Sequence, residues 1–240
     1  MWFDPSSDDS RWADAARHLC AADPVLGAVI RRVGPCQMKP RRDYFVALCR
    51  AIFAQQLNTK VAQVLFDRFQ NLMPGRRVSP DRVLKILDDP SAYRGCGLSR
   101  QKAAYLRDLA GHFADNRIPT RKLARMTDEQ VIEALVNVKG VGRWTAEMFL
   151  MFVLNRPDVL PVDDLGLREG VREIYRLPAR PNAADLTALA ERWRPYRSVS
   201  TWYVWRRNSN VPVEAATAPK PARPTRAATK RRPARVRKKS

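Results

Sequence analysis

Two glycines one residue apart, in Val138-Lys139-Gly140-Val141-Gly142-Arg143-Trp144-Thr145-Ala146, constrain this chain more than any other feature. They separate two apolar stripes of helical period, Val131-Ile132-Leu135-Val136 and Trp144-Met148-Phe149-Phe152, so the stretch predicts two helices joined by a tight hairpin. Glycine takes the positive φ that such a turn needs, and without a Cβ it lets backbone amides approach a ligand closely. Those amides sit at the N-terminus of the second helix, where unpaired N–H groups and the helix dipole favour a phosphate. Asp164 follows Gly142 by 22 residues, room for one helix and a returning loop, and lies in Pro161-Val162-Asp163-Asp164-Leu165-Gly166. A carboxylate is thereby expected beside a phosphate-gripping turn.

The class of partner follows from charge. The 240 residues carry 44 Lys/Arg against 24 Asp/Glu, a net charge of +20, which points to a polyanion, most simply nucleic acid. The segment from Val211 to Ser240 holds ten Lys/Arg and one Glu, so the chain before it is basic in its own right. From about Asn208 onward Ala, Pro, Thr, Lys and Arg dominate, a composition that buries too little apolar area to offset its ordering entropy. Residues 209–240 are therefore expected to form a disordered tail, read as a nonspecific DNA tether; the bland alternative is a solubilising extension. Cys20, Cys36, Cys49 and Cys96 are far apart and the chain has only two His, so closely spaced ligands for zinc or an iron–sulfur cluster are lacking. The start Met1-Trp2-Phe3-Asp4-Pro5-Ser6 lacks the basic residues and apolar run of a signal peptide, and no stretch approaches the length of a membrane span. The expectation is a cytoplasmic, nucleoid-associated protein with no membrane partner.

Helical periodicity recurs along the chain, with no sustained alternation of period two and no internal repeat. Asp8 or Ser10 can cap a first helix, Asp23-Pro24 a second; residues 43–56 form a third, broken at Gln55-Gln56-Leu57-Asn58-Thr59. Further starts fall at Thr59, Ser79-Pro80 and Ser99, and Thr127-Asp128-Glu129-Gln130 has the form of a capping box. Beyond the Asp164 loop come stripes at Leu167, Val171 and Ile174, at Leu186, Leu189 and Trp193, and over 197–207. The sum is an all-α core of about ten helices over residues 1–208.

The hairpin, the Pro161–Gly166 loop, Gln55-Gln56-Leu57 upstream and Trp193-Arg194-Pro195-Tyr196-Arg197-Ser198 downstream, in this order, resemble the helix-hairpin-helix (HhH-GPD) DNA glycosylases. Within that superfamily the likeness is to the DNA-3-methyladenine glycosylase II, or AlkA, type and covers roughly residues 10–208. It implies a bilobal fold in which a lobe of roughly 43–160 is inserted between the N- and C-terminal helices. It also implies a monomeric, monofunctional enzyme of base excision repair, which flips alkylated bases such as 3-methyladenine, and possible relatives such as 7-methylguanine, out of double-stranded DNA and leaves an abasic site.

By this resemblance Asp164 is the catalytic carboxylate, and Asp163 is left to cap the following helix. A fixed carboxylate suits the chemistry, because cleaving an N-glycosidic bond builds positive charge on the sugar. On the bland reading, both aspartates are only cap candidates. Lyase-active relatives carry a Lys at the position of Trp144, so Trp144 implies base release without strand cutting, and its indole is a wall for the flipped base. Trp205 aligns with a second wall. Trp202 is a further candidate at a spacing that also suits core packing. Met148 stands where the AlkA type has an aromatic residue, which keeps open a glycosylase for a deaminated or oxidised base. Leu57 would be the wedge that fills the vacated stack, or else a plug for the end of its helix. Lys139, Gly140, Val141, Gly142 and Arg143 form the DNA-binding hairpin, and the carbonyls of Val136, Val138 and Val141 would ligate a structural Na+ or K+. No cofactor is required, and no iron–sulfur cluster is expected. The alternative of another class is a noncatalytic architectural DNA-binding protein.

Overall fold

The computed structural model describes residues 11–208, and the regular structure among them is all helical, with twelve α-helices and three short 3-10 turns. Helices α1 (Ala13–Ala22) and α2 (Pro24–Val33) come first. They are followed by α3 (Tyr44–Ala54), α4 (Thr59–Asn71), α5 (Pro80–Leu87), α6 (Pro90–Gly95), α7 (Arg100–Ala114), α8 (Asp128–Val136) and α9 (Arg143–Phe152). The chain then forms α10 (Leu165–Ile174), α11 (Ala183–Ala190) and α12 (Arg197–Trp205). Side chains of Asp23, Asp43, Asn58, Ser99, Thr127 and Asn182 accept a first-turn amide, a contribution of about 1 kcal/mol each. Thr127 and Gln130 form the full capping box. Ser79 starts α5 without a side-chain cap, and Asp8 and Ser10 lie outside the described residues, as does the basic tail. Among the helices beyond the expected number is α6, whose six residues between Pro90 and Gly95 are too few to show a period.

The helices bury two separate apolar cores. One runs from Phe45 to Val159 through α3 to α9; the other joins α1 and α2 to α10, α11 and α12. Both ends of the described chain thus build one lobe, and the middle builds the other. Phe152, in the last turn of α9, packs against both. Trp202 belongs to the second core and is not a pocket wall. It is 4% exposed, with Tyr203 edge-on to it and the Arg206 guanidinium 3.9 Å over its ring. Packing of α12 against α2 and α10 takes this face of the helix inward.

Two features aim the start of α10. A Cβ at Gly170 would stand 2.4 Å from Cγ1 of Val204, so glycine lets α10 and α12 cross closely. The loop leading into α10 is fastened to the start of α12: Arg197 grips Asp158 through Nε–Oδ1 at 2.8 Å and Nη2–Oδ2 at 2.9 Å. Beside it, Oγ of Ser198 accepts the Val159 amide at 2.9 Å. A bidentate Arg–carboxylate pair, mostly shielded from water, is the geometry in which an ion pair fixes direction as well as adding energy.

Candidate active site and DNA-facing hairpin

The hairpin between α8 and α9 is anchored by Val138 and Val141, whose side chains are buried and whose backbones join through Val141 N to Val138 O at 3.0 Å. Gly140 adopts φ 82°, and a Cβ there would lie 2.3 Å from the Tyr105 ring, so both conformation and space demand glycine. Gly142 differs from the expectation. Its φ of −93° suits any residue, and a Cβ there would meet nothing within 4 Å. What its bare Cα preserves is open space before the first amides of α9, which no side chain caps. Two hairpin amides are already committed, Val141 as above and Lys139 to Oδ2 of Asp108 at 2.9 Å. The Arg143 guanidinium is also engaged, with Glu129 at 3.1 and 2.6 Å and with Oε1 of Glu147 at 3.2 Å. Burial pushes the Glu147 carboxyl above its ordinary pKa, and Arg143 opposes the shift in part. The groups left facing outward include the first-turn amides of α9 and the exposed Lys139 side chain.

Asp164, and not Asp163, is the N-cap of α10: its Oδ1 accepts the Leu167 amide, while Asp163 is exposed. The same carboxylate holds two indoles. Trp144 Nε1 donates to Oδ2 at 2.8 Å, and Trp205 Nε1 donates to Oδ1 at 3.0 Å. Gly166 makes room for this, because a Cβ there would stand 3.2 Å from Oδ1 of Asp164, close enough to crowd it, and would touch the Trp205 ring at Nε1. The Trp205 ring stacks on Phe152 with 5.9 Å between centroids, which props it from behind, whereas Trp144 is 49% exposed. Met148 is half-buried one turn after Trp144. The capping and the catalytic readings of Asp164 thus fall on one side chain: Oδ1 is occupied by the helix and Trp205, and Oδ2 carries a single donor. A cavity of about 650 Å³ between α2, the end of α10 and Arg207 lies apart from this carboxylate.

Across the hairpin, the chain breaks between α3 and α4 at Gln56, which takes φ 57°. Leu57 is 38% exposed and belongs to neither core, so it does not plug its helix. Gln55 Nε2 donates to the Gly140 carbonyl at 2.7 Å and ties this turn to the hairpin. The three carbonyls considered for a cation flank the same turn; that of Val138 already accepts one amide and keeps a second lone pair. Oxygen donors of this kind fit a hard monovalent ion.

Residues 49–195 match the family model of the HhH-GPD superfamily base excision DNA repair protein. The chain belongs to this superfamily. Over 212 residues it is 34% identical to DNA-3-methyladenine glycosylase 1 of Schizosaccharomyces pombe, covering 86% of this chain and 90% of that one. It is 27% identical over 168 residues to DNA-3-methyladenine glycosylase 2 of Escherichia coli, covering 70% of this chain and 56% of that protein. The structure superposes on that of the S. pombe 3-methyladenine DNA glycosylase in complex with abasic DNA with a TM-score of 0.73 at 33% identity, covering 80% of this chain and 95% of that one. In this HhH-GPD protein, sequence reasoning brought together Trp144, Trp205 and Asp164 but missed Phe152 and Gly166. Phe152 reads only as one more apolar position of α9, although it is the i+8 neighbour of Trp144 on the same stripe. Among the described residues no helix is long and apolar enough to cross a membrane.

Proposed function

We propose that this chain is a monofunctional DNA glycosylase that removes alkylated bases, 3-methyladenine foremost and 7-methylguanine with it, from double-stranded DNA, acting as a monomer on nucleoid DNA in the cytoplasm. The observation that carries the reading is the Asp164 carboxylate, held at a helix start by its own cap bond and by two indole N–H groups, one of them on an exposed ring. Similarity to proteins named DNA-3-methyladenine glycosylase supports the substrate class.

The residues divide the work as follows. The α9 amides and Lys139 clasp a phosphate of the lesion strand, and Leu57 enters the stack left by the flipped nucleotide. The base meets the Trp144 face; an alkylated purine is cationic and electron-poor, so stacking on indole gains ~0.5 to 2 kcal/mol from the cation–π term. The C1′–N bond then breaks with its electron pair departing on the base, which leaves neutral and needs no general acid. Asp164 stabilises the positive sugar through Oδ2 and orients the water that adds at C1′ and releases one proton to solvent. Trp144 offers no amine to attack C1′, so the strand stays intact. Carbonyls of Val136, Val138 and Val141 would hold a monovalent cation, which when bound adds positive charge beside the phosphate seat.

The test is base release from methylated duplex, resolved by chromatography. Free 3-methyladenine with strands uncut until alkali treatment supports the reading. Release of only deaminated or oxidised bases would move it to the alternative lesion class, and DNA binding without any release would leave an architectural protein.

A further inference from the structure

Helix α7 places nothing against the carboxylate, yet three of its side chains, spaced three residues apart, meet both DNA-facing turns. Lys102 Nζ donates to the carbonyls of Phe53 at 2.8 Å and Gln55 at 2.7 Å. These lie at the C-terminal end of α3, where carbonyls lack a partner within the helix and a positive group is favoured. Tyr105 lies so close to Gly140 that a Cβ there would overlap its ring. Asp108 accepts the Lys139 amide. Six residues of α-helix rise about 9 Å, so α7 spaces the Leu57 turn from the hairpin with a rigid rod, and the Gln55–Gly140 bond closes the frame from the other side.

We propose that α7 is the bracket that fixes the Leu57 turn against the hairpin, with Lys102 the positioning residue for insertion of Leu57 into DNA. The proposal rests on the reading that wedge and hairpin face one duplex. A side chain driven into a base stack is pushed back by the bases it separates, and it resists only if its own backbone cannot yield. The left-handed Gln56 immediately before Leu57 is a conformation that a non-glycine residue keeps only when its surroundings enforce it, and Lys102 supplies that enforcement by holding the preceding carbonyl, of Gln55, together with that of Phe53.

The test uses the full chain and a duplex holding a tetrahydrofuran abasic analogue with 2-aminopurine as its neighbour, whose fluorescence rises when a wedge unstacks it. Lys102→Met keeps the aliphatic stem and removes the ammonium. Its fluorescence rise should fall to about a fifth of the unsubstituted protein's, as should that of Leu57→Ala, and Lys102→Met should lose no more affinity for the same duplex than Leu57→Ala does. The double variant Lys102→Met/Leu57→Ala should be no worse than Leu57→Ala alone, because a missing wedge has nothing to position. Should Lys102→Met not fold, Gln55→Leu, which cuts the frame at Gly140, is read in the same way. An undiminished rise, a loss of affinity in Lys102→Met beyond that of Leu57→Ala, or additive losses in the double variant would overturn the proposal. The probe contains no base to release. Wedge insertion without release of methylated bases would therefore sink the glycosylase reading and leave the bracket standing.

Discussion

At Asp164 a single carboxylate caps the start of α10 and receives two indoles, so substitutions there must be chosen by which bond they spare. Trp144→Phe keeps an aromatic wall but deletes the N–H to Oδ2; single-turnover base release should fall about 10- to 100-fold, the scale of one charge-assisted hydrogen bond, with little change in DNA affinity. A larger loss of affinity than of rate would mean that the indole serves binding alone. Glu147 makes a second prediction, now in pH. Its carboxyl, 5% exposed, has a folded pKa raised above the ordinary 4.5, so its favourable contribution is full below that value and is lost as pH rises through the raised one. Glu147→Gln, which does not titrate, should therefore gain melting temperature relative to the unsubstituted protein on going from pH 4 to pH 7. A difference independent of pH would contradict the burial argument. The sequence pointed to Asp164, Trp144 and Trp205 through its resemblance to the AlkA type, and the structure brings the three side chains together. The sequence assigned the cap to the wrong aspartate, because adjacent carboxylates at a helix start have equal propensity and only the approach of the loop, set by Arg197 and Ser198, decides between them.

At the scale of the element, the hairpin separates two uses of glycine that its sequence presents as one. Gly140→Ala forces a Cβ into Tyr105 at a positive φ and should cost about 1 to 3 kcal/mol of stability, read by denaturant unfolding. Gly142→Ala meets neither obstacle; it should leave stability within about 0.5 kcal/mol while weakening DNA binding, because the new methyl occupies the approach to the α9 amides. Equal effects of the two on stability would refute this division. Helix positions were legible wherever a cap preceded a run of period 3.6, as at Asp23, Asn58, Ser99 and Thr127. Helix α6 was not, having too few residues for a period, and neither was the inward turn of Trp202, since an aromatic stripe on α12 does not say which of its rings meets the neighbouring helices.

Across the described residues, one lobe holds Leu57 and the hairpin, and Asp164 starts the helix that opens the other lobe's second half, so the proposed catalytic carboxylate and the proposed grip on DNA are built on separate cores. The basic segment after Asn208, expected to be a nonspecific DNA tether, would add charge to the grip alone. Removing it should lower the slope of log affinity against log salt by about 0.9 for each phosphate that the segment neutralises, with single-turnover base release unchanged at saturation. An unaltered slope would assign the segment elsewhere. The most direct measurement takes Asp164→Asn, which keeps a good cap for α10, and follows both release of 3-methyladenine and binding to an abasic-analogue duplex. Release should fall by about 10²-fold or more with affinity changed less than about threefold; a variant that releases the base as fast as the unsubstituted protein would contradict the assignment of this carboxylate to the chemistry.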